Sequence, residues 1–153
     1  MYCWYKNKRA GIFFNNRPLV CVRCYLPQMS EEELLSVKKY PFVNKKELPV
    51  LLKDYKKNKQ YKLTIPKGYC YDGASIPKFF WRVIGTNADN RFLIPAMIHD
   101  ILCEHHEYIN NDRSFSTEVF NALLECSGVS QIKRFFMKNS VACFQTICCK
   151  WSE

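Results

Sequence analysis

The stretch "QYKLTIPKGYCYDGASIPKFFW", from Gln60 to Trp81, decides the fold. Its opening, "QYKLTIP", alternates polar with apolar residues and reads as a strand closed by Pro66. A turn-forming run then stiffens the chain: Gly73 permits backbone shapes that other residues resist, and Pro77 fixes its own φ while pushing Ile76 toward an extended shape. Upstream of this stretch the chain reads mainly as strands, and downstream as helices.

Working upstream, "CWY", "GIFF" and "LVCVRCYL" are short runs of β-formers separated by turn residues. They are followed by "SEEELLSVKKY", where Ser30 and Glu33 have capping-box spacing and Pro41 stops the helix. The run "ELPVLLKDY" fits strand or helix. Working downstream, "FLIPAMIHDILCEHHEY" places Pro95 in a favoured early-helix position. "SFSTEVFNALLECSG" starts after Asp112 or Ser114 and ends on Gly128, a C-cap glycine. A last helix is capped by Ser130 and carries Ile132, Phe135, Phe136 and Val141 at helical spacing. Strands followed by helices predict an α+β fold with N-terminal strands and hairpins, a Gly/Pro-stiffened loop and about three packed helices.

The chain has 153 residues, of which 48% are hydrophobic, enough for one domain with a sizeable core. We expect residues 1–59 to form a strand-rich extension packed on a core domain of residues 60–153. No apolar run is long enough to span a bilayer. The start, "MYCWYKNKRAG", has no apolar stretch behind its charges, so the expected residence is a cytoplasm. Nine cysteines, an odd number, are expected as thiols rather than disulfides. The Cys21/Cys24 pair lacks a well-spaced second pair for zinc, because Cys148 and Cys149 are adjacent. A net charge of +9 favours anionic partners, though Lys outweighs Arg and no recognised nucleic-acid motif is present, so nucleic acid is not the expected partner.

Two clusters can carry chemistry. Asp72 and Ser75 sit on the stiffened loop, where they also suit an Asx-turn and a helix cap. His99 and Asp100 are adjacent on the predicted helix, and positions 99, 103 and 106 share one face of it. One His and two carboxylates, Asp72, His99 and Asp100, suit a divalent metal ion able to activate water. The same residues equally suit a buried hydrogen-bond network that ties loop to helix.

"TIPKGYCYDGASIPKFFW", "IPAMIHDIL", and "RSFSTEVFNALL" before "GVSQIKRFFM" resemble a family of short phage and prophage proteins, domain-of-unknown-function family 1353. The resemblance runs from about Tyr61 to Phe144. It implies a phage or prophage origin and recurring polar positions at Asp72, Ser75, His99, Asp100 and Arg113. It implies no reaction. The family's acid four residues after the arginine is replaced here by Thr117, with Glu118 beside it. Two functions follow as expectations. One is a metal-assisted hydrolase with Asp72, Ser75, His99 and Asp100 as the catalytic group. The other is a non-catalytic accessory or virion-associated protein that binds a phage or host protein. The expected location is the host cytoplasm or the virion.

Overall fold

The computed structural model describes residues 3–72 and 90–147. Among these residues, seven strands and four α-helices fall in the order β1 (Cys3–Lys6), β2 (Ala10–Phe14), β3 (Val20–Val22), α1 (Glu31–Lys39), β4 (Phe42–Asn44), β5 (Leu48–Asp54), β6 (Lys59–Ile65), β7 (Cys70–Tyr71), α2 (Asn90–Glu104), α3 (Arg113–Cys126) and α4 (Gln131–Ile147). A 3-10 turn, His106–Ile109, separates α2 from α3. The fold is α+β.

The strands form an antiparallel four-stranded sheet, β1-β2-β5-β6, and a three-stranded sheet, β3-β4-β7. The ambiguous run Leu48–Asp54 is a strand whose burial strictly alternates, with Leu48, Val50, Leu52 and Asp54 facing inward. Its proline, Pro49, pairs with Thr64 of β6 just past Val50, where the pairing with β2 ends. The boundary expected at 59/60 falls inside β6, since Lys59 is already paired with Asp54.

One buried cluster runs from Ala10 to Met137 and joins the inner face of the large sheet to the helices. Ile12, Phe14 and Leu52 of the sheet share it with Val119, Phe120 and Leu123 of α3, all essentially inaccessible to water. The Tyr61 ring of β6 lies 5.4 Å from Phe115 of α3, and the Tyr71 hydroxyl donates to the Leu93 carbonyl of α2 at 2.8 Å.

Local signals set several ends. The Ser30/Glu33 capping box forms in full, and Asp112 accepts from the Phe115 N–H at 3.1 Å to cap α3. Gly128 closes α3 with a φ of 84°, a left-handed shape that glycine adopts without strain. Pro95 is a correction. It lies inside α2 rather than in its first turn, so Arg91 loses the backbone donor that any other residue there would supply. On α4, Ile132 and Phe135 are 68% and 64% exposed, so that stripe turns outward and Met137 supplies the buried contact. The side chain of Val141 lies outside those described.

Candidate functional site

The candidate site begins with a buried asparagine. Asn44 ends β4, and its side-chain amide donates to the carbonyls of Ile65 and Pro66 at 3.4 and 3.1 Å. Its backbone N–H donates to the Tyr69 carbonyl at 2.8 Å, and its own carbonyl accepts from the Gly68 N–H at 2.8 Å. The turn so held runs Pro66-Lys67-Gly68-Tyr69, with a 3.2 Å bond from the Tyr69 N–H to the Pro66 carbonyl. Gly68 has a φ of 89°, as the third position of a type II turn requires. The turn fixes the direction of β7, and β7 delivers Asp72.

Asp72 is exposed, and its carboxylate acts on the Asp100 carboxyl of α2. The Asp72 backbone N–H also faces that carboxylate. Asp100 is 21% exposed at its side chain. Burial pushes its pKa well above the ordinary carboxyl range, with the Asp72 carboxylate and the Glu104 charge adding to the shift and the Asp72 N–H opposing it. Glu104 ends α2 four residues on, so it shares a helix face with Asp100.

Two tyrosines floor this corner. The Tyr69 hydroxyl is buried and has no hydrogen bond of normal geometry among the described residues. Burial raises its pKa strongly, and nearby Glu104, Asp100 and Asp72 raise it further, so the phenol stays a proton donor. Tyr71 is likewise raised, by burial and then by Asp100. The rings of Tyr69 and Tyr71 stack with centroids 6.2 Å apart.

His99 lies behind this corner. It is 6% exposed, its ring packs 5.0 Å from Phe120, and burial lowers its pKa to about 4, so it is neutral at physiological pH. Its Nδ1 is 4.0 Å from an Asp100 oxygen. The Cys103 sulfur sits 3.7 Å from Nδ1 and 3.6 Å from Nε2. A sulfur equidistant from both nitrogens lies along neither lone pair, which is not the geometry of an activated Cys–His nucleophile.

His106 is a correction. Residue 105 leaves helical geometry and the 3-10 turn begins at His106, so it does not continue the His99–Cys103 face. Its Nδ1 contacts the Asn111 side chain instead. Ser75, with Gly73 and Pro77, lies outside the described residues. Arg113 is exposed at the first position of α3. Thr117 is buried and its hydroxyl donates to the Arg113 carbonyl at 3.2 Å. Glu118 pairs with Arg9 at 3.4 Å and Lys138 at 3.1 Å.

Among the described residues, no group of three His, Cys, Asp or Glu side chains is placed to hold a metal ion. The five cysteines whose side chains are described form no disulfide, and no helix among the described residues is long and apolar enough to cross a membrane. Sequence reasoning missed Asn44, Tyr69 and Glu104. Only Glu104 had a local signal, its four-residue spacing from Asp100.

A family model described as "Protein of unknown function (DUF1353)" matches residues 51–141, more than half of the chain. The match begins inside β5 and ends inside α4, so it contains Asp72, Tyr69, Asp100 and Glu104 and leaves out β1 to β4. The uncharacterized protein y4jT of Sinorhizobium fredii (strain NBRC 101917 / NGR234) is 44% identical over 43 residues, which is 28% of this chain and 13% of that protein. No solved structure matches.

Proposed function

Taking as premise that the chain belongs to the family described as Protein of unknown function (DUF1353), we propose that it is a small hydrolase of phage or prophage origin whose acid–base centre is the Asp72–Asp100 pair. The observation that carries this reading is an exposed carboxylate acting on a largely buried carboxyl whose proton is held by burial and by its neighbours. Burial, with the Asp72 carboxylate facing it, keeps the proton on Asp100 in this proposal. Asp72, at the solvent edge, takes a proton from water as the water attacks. Asp100, the better-protonated partner, gives its proton to the leaving group.

Asn44 and the Gly68 turn hold Asp72 against α2, and His99 supports Asp100 from the buried side without itself titrating near neutrality. No step is routed through a metal ion.

The test has two arms. Carboxyl-carbon NMR with labelled aspartate should show Asp100 titrating above the ordinary range, and Asp72→Asn should bring it down. A panel of ester, amide and glycoside substrates, wall polymers included, should then yield turnover. Asp72→Asn and Asp100→Asn should each lose about 10²- to 10⁴-fold of it, with folding retained. An ordinary Asp100 titration, or full turnover in both variants, removes the reading. A metal found by elemental analysis and required for turnover would replace the Asp100 proton with an ion.

A second reading, a non-catalytic protein that docks a phage or host partner, is favoured by the outward Ile132 and Phe135 of α4.

A further inference from the structure

The large sheet has a second face. Its inner residues are core, but the outward residues line up across all four strands in two rows. One row runs Trp4, Phe13, Leu51, Lys62, and the next runs Lys6, Gly11, Lys53, Gln60. Neither row contains an acidic residue.

The aromatic members are organised. Trp4 stands edge-on to Phe13 with ring centroids 4.5 Å apart, and the Lys53 ammonium lies 4.9 Å from the Phe13 ring centre. The Tyr55 hydroxyl lies over Gly11, so close that a Cβ there would meet it at 2.6 Å. Phe13 is covered by these neighbours, but Trp4 itself is 62% exposed. Alongside runs a groove of about 610 Å³ lined by Phe13, Leu51, Lys62, Thr64 and Tyr108, with no acid among its described lining residues.

We propose that this face binds single-stranded nucleic acid. The lysines meet phosphates, and exposed Trp4 and Tyr108 stack on bases. Three features favour that occupant. The face is basic on a chain of net charge +9, so a polyanion is the complementary partner. An exposed tryptophan beside lysines on an open sheet is a stacking platform, and stacking tolerates any base. The bases of a duplex are already stacked on one another, whereas those of a single strand are free to lie on such rings. This surface is built from different residues than the Asp72–Asp100 corner, so it stands or falls independently of the hydrolase reading. It departs from the expectation drawn from the absence of nucleic-acid motifs, because row-wise placement across strands leaves no linear motif.

The test uses the full chain and a fluorescein-labelled oligothymidylate of about 20 nucleotides, followed by anisotropy at about 50 mM salt. Binding is expected, with a log–log salt slope of about −0.7 per phosphate contacted. Trp4→Ala should weaken it by about 5- to 100-fold while the thermal melt stays close to the parent's. The double variant Lys53→Glu, Lys62→Glu should weaken it and flatten the salt slope. Absence of binding overturns the proposal, as does Trp4→Ala binding at parental affinity. Poly-glutamate or duplex DNA competing as well as the oligonucleotide would also overturn it, since either would reveal a surface that reads charge alone.

Discussion

The corner holding Asp72, Asp100 and Glu104 and the outer face of the four-stranded sheet use charge in opposite ways. On the sheet face, lysines project into water, where like charges are screened and cheap to hold. At the corner, carboxylates gather on a chain that is otherwise strongly basic, and one of them is largely buried. Burial makes that arrangement costly. The contrast teaches that net charge locates the less demanding surface, while the costly departure from it marks the candidate chemistry.

Removing what stands behind the corner should have the largest effect. Phe120 is buried and supports the His99 ring. Phe120→Ala should cost about 3–5 kcal/mol by chemical denaturation, because the hole opens among α3, the large sheet and His99. Leu51→Ala on the outer face is the matched control and should cost under about 1.5 kcal/mol, since water can fill the space. Equal losses would erase the difference between the two regions.

The second effect is in pH. His99 has a folded pKa of about 4 against an ordinary 6.5, so its contribution to stability is present above 6.5 and is lost as pH falls toward 4. The span corresponds to about 3 kcal/mol. Asp100 has the opposite sign: its folded pKa is raised, so its contribution is present below the ordinary carboxyl range and is lost as pH rises through the folded value. Asp100→Asn should therefore be more stable than the parent at pH 8 and lose that advantage at pH 4, measured by paired thermal melts. An advantage that is the same at both pH values would show that Asp100 does not titrate abnormally.

Much of the fold was legible because its signals are local. The Ser30/Glu33 box, the Asp112 cap, the Gly128 stop and the alternation of Lys59–Ile65 each depend on a few neighbours in sequence. The misread features depend on distant ones. Pro95 sits mid-helix because the buried run around it outweighs one missing backbone bond. His106 leaves the His99 face because the backbone turns at His105. At the site, Asp72 and Asp100 were visible as residue types. Asn44 and Tyr69 were not, since an asparagine that holds a turn twenty residues away has no sequence pattern to announce it.

The smallest expected effect is on the sheet face, at Gly11. Its backbone is ordinary strand, so alanine brings no φ strain and the question is one of space. The new Cβ would lie 2.6 Å from the Tyr55 hydroxyl and 3.0 Å from the Phe13 ring. Tyr55 is 43% exposed and its hydroxyl is the far end of a free side chain, so it swings away at little cost. Phe13 is 4% exposed, held between Trp4 and Lys53, and gives only a few tenths of an ångström. Gly11→Ala should therefore cost about 1 kcal/mol, mostly through Phe13, and move the Tyr55 ring signals in an NMR spectrum. The Asp100 titration should stay unchanged, because Gly11, Phe13 and Tyr55 are not among the groups that shift it. A Gly11→Ala variant that shifted the Asp100 titration would show the two regions to be coupled, and the independence argued for them would fail.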